Sequence, residues 1–234
     1  MFKTFTLKQI ANLMVSIIGW IKKKQVINLK ESTVKLNVGS CLAVAKGWIN
    51  IDCSLNAFFS KYPVFILKQL YKMSGFKENF SQEDYCRILI ENNFIYHNLE
   101  YGLPFLSNSA NYIYSSHLLE HLFLEDAQEL LKEMYRVLKD DGIVRICVPD
   151  LDYAIQLFQK DKQEALNYFF TSSNVGYHSR HKYMYDFKLL KQVLEKAGFN
   201  DIKKYCYKEG NVPDIGILDN RPEETIFVEA NKRL

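Results

Sequence analysis

Residues 111–148 decide the fold, and they read NYIYSSHLLEHLFLEDAQELLKEMYRVLKDDGIVRICV. The stretch begins and ends with runs rich in aromatic and β-branched residues, at 111–115 and 143–148, and both runs are predicted strands. Between them, residues 126–139 place apolar side chains at steps of three and four, which predicts an amphipathic helix. A strand, a helix and a strand in this order indicate a parallel pair of strands.

The same alternation continues in both directions along the chain. Short apolar-rich runs predict further strands at 34–38, 48–52, 94–97, 201–207 and 225–230. A second amphipathic pattern, at 186–196, ends at Gly198 and predicts another helix. We therefore predict an α/β fold with a Rossmann-like, doubly wound sheet that is mostly parallel. Ligands of such sheets bind beyond the carboxyl ends of the strands.

The chain is predicted to consist of a main domain, residues 33–234, and a helical extension, residues 1–32. The first 30 residues carry six lysines and no acidic residue, so a basic amphipathic helix that contacts an anionic membrane surface is one interpretation. A helix packed against the domain is the other. The longest uncharged apolar-rich run, 10–21, is shorter than the roughly 20 residues that a membrane span needs. Helices are also predicted in an insertion at 54–93, where a lid or a lipid-facing surface is the alternative.

Composition excludes several classes of protein. The 234 residues include 30 Lys and Arg against 27 Asp and Glu, and a net charge of +3 is too mild to indicate a nucleic-acid partner. Five scattered cysteines without a C-x-x-C pair argue against a disulfide framework or a zinc ribbon. They favour a reducing, cytoplasmic location.

Two residues at predicted strand ends indicate a nucleoside-type ligand. Gly39 follows the first strand and lets backbone N–H groups approach a ligand without an intervening Cβ. Asp52 ends the second strand, where a carboxylate can accept hydrogen bonds from both hydroxyls of a ribose. The connection between these strands leaves little room for a crossover helix, because such crossovers normally take at least about ten residues.

The order and spacing of several motifs resemble class I S-adenosylmethionine-dependent methyltransferases. The closer resemblance is to the methyltransferase type 11 group associated with polysaccharide and cell-envelope glycosylation genes. It extends over roughly residues 33–232 and rests on LNVG at 36–39, GWINID at 47–52, YHNL at 96–99, YSSHLLEHL at 114–122, RVLK at 136–139, VPDL at 148–151 and AGF at 197–199. The resemblance implies a last strand that is antiparallel, and S-adenosylmethionine as the cofactor.

The resemblance also assigns cofactor contacts to the strand ends. Asp52 would bind the ribose hydroxyls, and the adenine would lie against Asn98 and Leu99. The contacts with the methionine, the ribose and the sulfonium would come from Gly39, Ser40, Cys41, Ser115, Ser116 and His117. Two positions depart from the family pattern, since Cys41 stands where glycine is usual and Asn98 where aspartate is usual. A catalytically silent homologue that acts as a binding module is therefore an alternative.

Three histidines are the candidate general bases, namely His117, His121 and His181, and Glu120 is placed to orient one of them. Methyl transfer depends chiefly on alignment of the acceptor, and a hydroxyl acceptor would also need a base. His117 and His121 would share one face of a helix. Structural roles for all three histidines are the alternative. The expected acceptor is a small molecule, a glycan or a glycolipid, and no nucleic acid is expected as partner.

A rival interpretation comes from residues 117–121, which read HLLEH and match the H-x-x-E-H signature of zinc peptidases. Glu125 or Glu129 would then supply a third zinc ligand. The resemblance over most of the chain favours the methyltransferase, for which no metal site is predicted. A nucleic-acid methyltransferase is a further alternative, although no basic stripe supports it.

Overall fold

The computed structural model describes residues 17–29, 31–170 and 180–233. Strands of these residues form a seven-stranded sheet in the order β3-β2-β1-β4-β5-β7-β6. The strands are β1 (Lys35–Val38), β2 (Ile49–Asp52), β3 (Asn93–Tyr96), β4 (Ala110–Ser116), β5 (Leu138–Pro149), β6 (Asn200–Tyr205) and β7 (Thr225–Asn231). β7 runs antiparallel to β5 and β6, whereas the pairs from β3 to β5 are parallel. The predicted α/β architecture is confirmed, including its antiparallel last strand.

Helices cover both faces and one edge of this sheet. They are α1 (Leu55–Phe59), α2 (Val64–Met73), α3 (Gln82–Glu91), α4 (Leu124–Val137), α5 (Leu151–Lys160), α6 (Lys162–Phe170), α7 (Phe187–Ala197) and α8 (Ile215–Leu218). Residues 17–22 are also helical, and the part of the predicted extension before residue 17 lies outside the described residues. None of the helices in the described ranges is long and apolar enough to cross a bilayer.

The main core lies between α4, α7 and the central strands. α4 buries the apolar stripe that the sequence predicts, from Ala127 to Val137, against the sheet. This helix ends two residues earlier than predicted, and β5 begins at Leu138 instead of residue 143. Leu138 is fully buried and pairs with Ala110, so burial extends the strand into the predicted turn. α7 ends at Gly198, whose φ of 104° allows the left-handed stop.

The connection between β1 and β2 contains turns instead of a helix. The Asn37 side chain holds these turns, donating to the Ala43 carbonyl oxygen at 2.7 Å and to the Asn50 Oδ1 at 3.0 Å. Leu42 and Ala45 are buried in place of a crossover helix. The short connection is therefore accommodated by turns that the Asn37 side chain holds through one backbone and one side-chain acceptor.

Two smaller apolar clusters complete the fold. α1, α2 and α3 pack over β3 at one edge of the sheet, around Leu67, Tyr85 and Phe94. On the face opposite α4, Trp48, Tyr114 and residues of the 207–218 segment form the other cluster. Because β1 is parallel to both β2 and β4, the carboxyl ends of these three strands lie at the same edge of the sheet. The predicted site residues lie at this edge.

Candidate functional site at the carboxyl edge of the sheet

Asp52 ends β2 and faces the turn that follows β1. Its Oδ2 accepts a hydrogen bond from the Cys41 backbone N–H at 2.8 Å, and its Oδ1 accepts one from Ser54 N–H at 2.7 Å. A carboxylate oxygen has two lone pairs, so each oxygen keeps the capacity to accept a further hydrogen bond. Asp52 thus joins the first two strand ends and can accept two hydroxyl donors.

The turn after β1 uses left-handed backbone conformations at two positions. Gly39 has a φ of 72°, and Cys41, one of the two residues that depart from the pattern of the resembled methyltransferases, has a φ of 47°. Cys41 therefore adopts a conformation that glycine takes at little cost. A Cβ at Gly39 would lie 2.8 Å from Leu118 Cδ2, which shows that the Leu118 side chain lies over this turn. A ligand on the turn would require this leucine to rotate.

Three serine hydroxyls near the same edge lack hydrogen-bond partners. The Oγ atoms of Ser40, Ser115 and Ser116 are buried and unpaired among the described residues. An unpaired buried hydroxyl costs about 1–3 kcal/mol, so such groups usually serve a ligand or a bound water. These hydroxyls and the Asp52 carboxylate lie at or just beyond the carboxyl ends of β1, β2 and β4.

Asn98 follows β3, but its side chain is engaged locally. Its Oδ1 accepts from Glu100 N–H at 3.1 Å, and its Nδ2 donates to Glu100 Oε2 at 3.1 Å. The helical residues 17–22 lie against it, since a Cβ at Gly19 would be 3.2 Å from Asn98 Cβ. Leu99, the other predicted adenine contact, packs against the main core. Asn98 thus serves as the cap of a 3₁₀ turn (Leu99–Tyr101), and its predicted contact with an adenine stays a prediction.

The three predicted histidines converge on Glu120. His117 Nδ1 lies 3.3 Å and His121 Nε2 lies 3.8 Å from Glu120 Oε1. The His121 and His181 rings are 5.2 Å apart between centroids. On its other side, His117 Nε2 is 3.2 Å from Thr225 Oγ1 of β7. The structure therefore brings together all three candidate bases and Glu120, the carboxylate that was expected to orient one of them.

His181 reaches this cluster because residues 180–185 run alongside the Glu120 backbone. The Glu120 carbonyl oxygen accepts hydrogen bonds from Lys182 N–H at 2.7 Å and from Tyr183 N–H at 3.3 Å. Burial lowers the pKa of His181, an effect that the Glu120 charge partly opposes. Burial also raises the pKa of Tyr185, whose buried hydroxyl is unpaired among the described residues. The segment thus places the His181 ring and the Tyr185 hydroxyl in buried positions near Glu120.

The helix expected to carry both His117 and His121 is absent, so that prediction is wrong. β4 ends at Ser116, His117 has a φ of 51°, and only Leu119–His121 form a single 3₁₀ turn. Glu125 and Glu129, the proposed third zinc ligands, lie on α4 outside the group that converges on Glu120. The arrangement therefore does not reproduce the helical H-x-x-E-H site of a zinc peptidase.

A groove of about 650 Å³ lies elsewhere, between α1, β3, residues 22–29 and Glu31. Lys22, Lys61 and Tyr96 are among its lining residues, whereas Gly39, Asp52 and Ser115 are not. The polar residues at the carboxyl edge of the sheet are therefore not part of this groove.

Sequence reasoning missed Thr225 and gave Tyr185 no defined role. Thr225 lies on the antiparallel strand β7, and no local motif links it to His117, 108 residues away. Tyr185 lies in the segment 180–185, and residues 171–179 before it lie outside the described residues. An isolated backbone β-bridge between Asp150 and Tyr185 places Tyr185 beside the end of β5.

Comparison with known proteins agrees with this architecture. Residues 68–146 match the sequence model of a family described as a methyltransferase domain. The match runs from α2 into β5, about a third of the chain, and does not include Gly39 or Asp52. No curated protein sequence matches the chain.

Solved structures resemble the fold at low sequence identity. The apo form of the S-adenosylmethionine-dependent methyltransferase SibL has a TM-score of 0.50 at 15% identity, over 97% of this chain and 57% of that chain. A possible exported protein from Bordetella parapertussis has a TM-score of 0.50 at 12% identity, over 97% and 70%. A SAM-dependent methyltransferase from Archaeoglobus fulgidus gives 0.48 at 17% identity, over 95% and 94%. With its sheet order, the chain has the fold of class I S-adenosylmethionine-dependent methyltransferases.

Proposed function

We propose that this protein is an S-adenosylmethionine-dependent methyltransferase whose acceptor is a small molecule or a sugar of a glycan or glycolipid. The observation that carries the proposal is the position of Asp52, at the carboxyl end of β2 and hydrogen-bonded to the turn after β1. In an open parallel sheet this is where a ribose binds. The acceptor class rests on the resemblance of the sequence motifs to type 11 methyltransferases.

The residues of the chain would hold the cofactor and manage one proton. When bound, S-adenosylmethionine supplies an electrophilic methyl group, so alignment is the main requirement. Asp52 would accept hydrogen bonds from the ribose hydroxyls, and Ser115 and Ser116 would contact the end near the sulfonium. His117 is the base that we assign to a hydroxyl acceptor, because it directly follows β4 at the end near the sulfonium, where Ser115 and Ser116 lie.

The proposal is tested by calorimetric titration of S-adenosylmethionine into the wild type and into Asp52→Asn. We expect micromolar binding by the wild type and a Kd raised about 10- to 100-fold in the variant, because hydrogen bonds to a charged group contribute about 1.5–3 kcal/mol. Asn keeps one acceptor oxygen, so one of the two backbone hydrogen bonds, from Cys41 or from Ser54, is retained. The matched control is Asp201→Asn, since Asp201 lies in β6 and has a φ of 49° that asparagine tolerates.

Two results would count against the proposal. Equal affinity of Asp52→Asn and the wild type would remove Asp52 from the ribose site. A folded wild type that binds no cofactor, with a normal circular dichroism spectrum and a cooperative melt, would favour the silent homologue.

We propose in addition that the amino-terminal region contacts an anionic membrane surface. Ile17, Trp20 and Ile21 lie on one face of the helical residues 17–22, and they are 50%, 61% and 67% exposed. Lys22 and Lys23 follow them directly. Exposed apolar side chains next to lysines suit the headgroup region of an anionic bilayer.

Co-sedimentation with vesicles tests this contact. We expect the wild type to pellet with vesicles that contain phosphatidylglycerol and much less with pure phosphatidylcholine, because both apolar insertion and charge contribute. The variant Trp20→Ala/Ile21→Ala should stay in the supernatant. Ile217→Ala, which removes an equally exposed side chain of α8, is the control that should pellet like the wild type. Unchanged pelleting of the double variant and of a form lacking residues 1–30 would exclude the contact.

A further inference from the structure

A carboxylate and two imidazoles meet beyond the end of β4. Glu120, His121 and His181 each offer a ligand atom, and these atoms lie within 4.8 Å of one another. We propose that these three residues bind a divalent first-row transition-metal ion such as Zn²⁺. Two imidazole nitrogens and one carboxylate oxygen form a common donor set for these ions. This departs from the sequence-based expectation of no metal site.

The strongest support is the state of the Glu120 carboxylate. Its side chain is 1% exposed, and neither Oε1 nor Oε2 has a hydrogen-bond partner among the described residues. His181 Nδ1 is likewise buried and unpaired among them. Burying an ionised carboxylate without hydrogen bonds costs several kcal/mol, so buried charges are normally paired or bound to a metal. A cation between Glu120 and His181 would satisfy both groups at once.

His121 is oriented as a metal ligand normally is. Its Nδ1 lies 3.3 Å from the Arg180 carbonyl oxygen. Because a carbonyl only accepts, Nδ1 carries the proton in this contact, and Nε2 faces Glu120 with its lone pair. Metal-bound histidines typically donate their second N–H to a carboxylate, a backbone carbonyl or a water. Arg180 would therefore serve as the outer partner that fixes the ring.

The distances require only a small closure. Ligand atoms about 2.1 Å from a zinc ion stand about 3.4 Å apart around a tetrahedron. His121 Nε2 is already 3.8 Å from Glu120 Oε1. The hydrogen bonds from Lys182 and Tyr183 to the Glu120 carbonyl hold the two backbone segments together. Rotation of the side chains by about 1 Å at their tips would complete the site, with at least one coordination position left open.

A protonated His117 is the competing explanation for the buried charge. Its Nδ1 is 3.3 Å from Glu120 Oε1, but this contact does not satisfy hydrogen-bond geometry, and both atoms are left unpaired. The second carboxylate oxygen and His181 would also stay unsatisfied. The metal accounts for more of the unpaired atoms than His117 does.

The position connects the ion with the proposed function. The cluster lies directly after Ser116 and His117, on the side of the sheet where the acceptor is expected. A Lewis acid lowers the pKa of a bound hydroxyl, so the site predicts an oxygen acceptor. The inference of an oxygen acceptor rests on the proposed methyltransferase activity, whereas the inference of metal binding does not.

The experiment measures Zn²⁺ binding by calorimetry on chelator-treated full-length protein and metal content by mass spectrometry of the protein as purified. We expect one equivalent in the wild type, a melting temperature that rises with Zn²⁺, and loss of both in Glu120→Gln and His181→Asn. The loss of affinity should exceed the 10–100-fold typical of outer-shell partners. Glu129→Gln, which removes an exposed carboxylate of α4, is the matched control and should bind like the wild type.

Distinct outcomes separate this proposal from the methyltransferase. No binding by folded wild type, or equal binding by Glu120→Gln and the wild type, overturns the metal site. If Glu120→Gln does not fold, the partly exposed His121→Asn variant gives the answer. The visible spectrum of the Co²⁺ form should change in that variant and not in Glu129→Gln. Cofactor titration of the same samples shows independently whether S-adenosylmethionine binds.

Discussion

Replacing Arg145 with leucine is expected to lower the free energy of unfolding by about 3–5 kcal/mol, the loss typical of breaking a buried ion pair. The Arg145 side chain is fully buried in β5, on the sheet face that carries Trp48 and Tyr114. Leucine has no charge and no donor, so the acidic partners would be left uncompensated in the interior. Urea unfolding followed by circular dichroism measures the change.

The size of this effect follows from the partners of the guanidinium. Arg145 Nε and Nη2 donate to the two oxygens of Asp219 at 2.9 and 2.6 Å, and its Nη1 donates to Glu229 Oε1 at 3.1 Å. Burial alone would lower the pKa of Arg145, but its hydrogen bonds with Asp219 and the nearby negative charges raise it overall. Both carboxylates also accept backbone N–H groups, from Lys208 and Asn211 among others. Loss of Arg145 would therefore disturb the whole 207–219 segment.

A surface pair provides the control for this prediction. Arg233 pairs with Asp201 at 2.7 Å, but the side chains are 58% and 41% exposed, so Arg233→Leu should cost less than about 1 kcal/mol. Arg145→Lys keeps the charge and loses the two-point contact, and its stability should be intermediate. If Arg145→Leu and the wild type unfolded at the same urea midpoint, the ion network would contribute nothing to stability.

This network also shows where prediction of the fold from sequence stops. The strand and helix cores follow from local apolar periodicity, and the predicted strands fall within a few residues of the observed ones. β5 begins earlier than predicted because Leu138 is buried and pairs with Ala110. This tertiary contact cannot be predicted from the sequence around Leu138, where Asp140, Asp141 and Gly142 indicate a turn. Arg145 meets its carboxylate partners across 74 and 84 residues, and no local pattern encodes such a pairing.

The candidate site likewise contains residues that could be predicted from the sequence and contacts that could not. Gly39 and Asp52 could be selected because strand ends and their spacing are visible in the sequence. The three histidines were selected from their side-chain chemistry, but the helix assigned to His117 and His121 is wrong, because His117 adopts a positive φ directly after β4. His181 lies 61 residues after Glu120 and joins the cluster because the next two residues, Lys182 and Tyr183, donate backbone hydrogen bonds to Glu120, which only the fold reveals.

Replacing Gly39 with alanine is expected to lower the free energy of unfolding by about 2–5 kcal/mol. A side chain at a left-handed φ, here 72°, costs about 1–2 kcal/mol. Overpacking adds about 1–3 kcal/mol, because the new Cβ would lie 2.8 Å from Leu118 Cδ2 and 3.0 Å from its Cγ. The same Cβ would occupy the turn where the proposed cofactor approaches the backbone, so affinity for S-adenosylmethionine should fall as well. Urea unfolding and cofactor titration measure the two effects.

Gly47 separates the two causes within the same chain. Its φ of 80° matches that of Gly39, but a Cβ there would meet only the end of the Lys35 side chain, at 3.7 Å. Gly47→Ala should therefore show the conformational cost of about 1–2 kcal/mol without the steric cost. It precedes β2, at the opposite edge of the sheet, so cofactor affinity should not change. Adding Leu118→Ala to Gly39→Ala should recover the steric part, since it removes the atoms that the new Cβ meets. Equal losses in Gly39→Ala and Gly47→Ala, with no effect of the Leu118 change, would show that the turn after β1 tolerates a side chain and does not require close backbone approach.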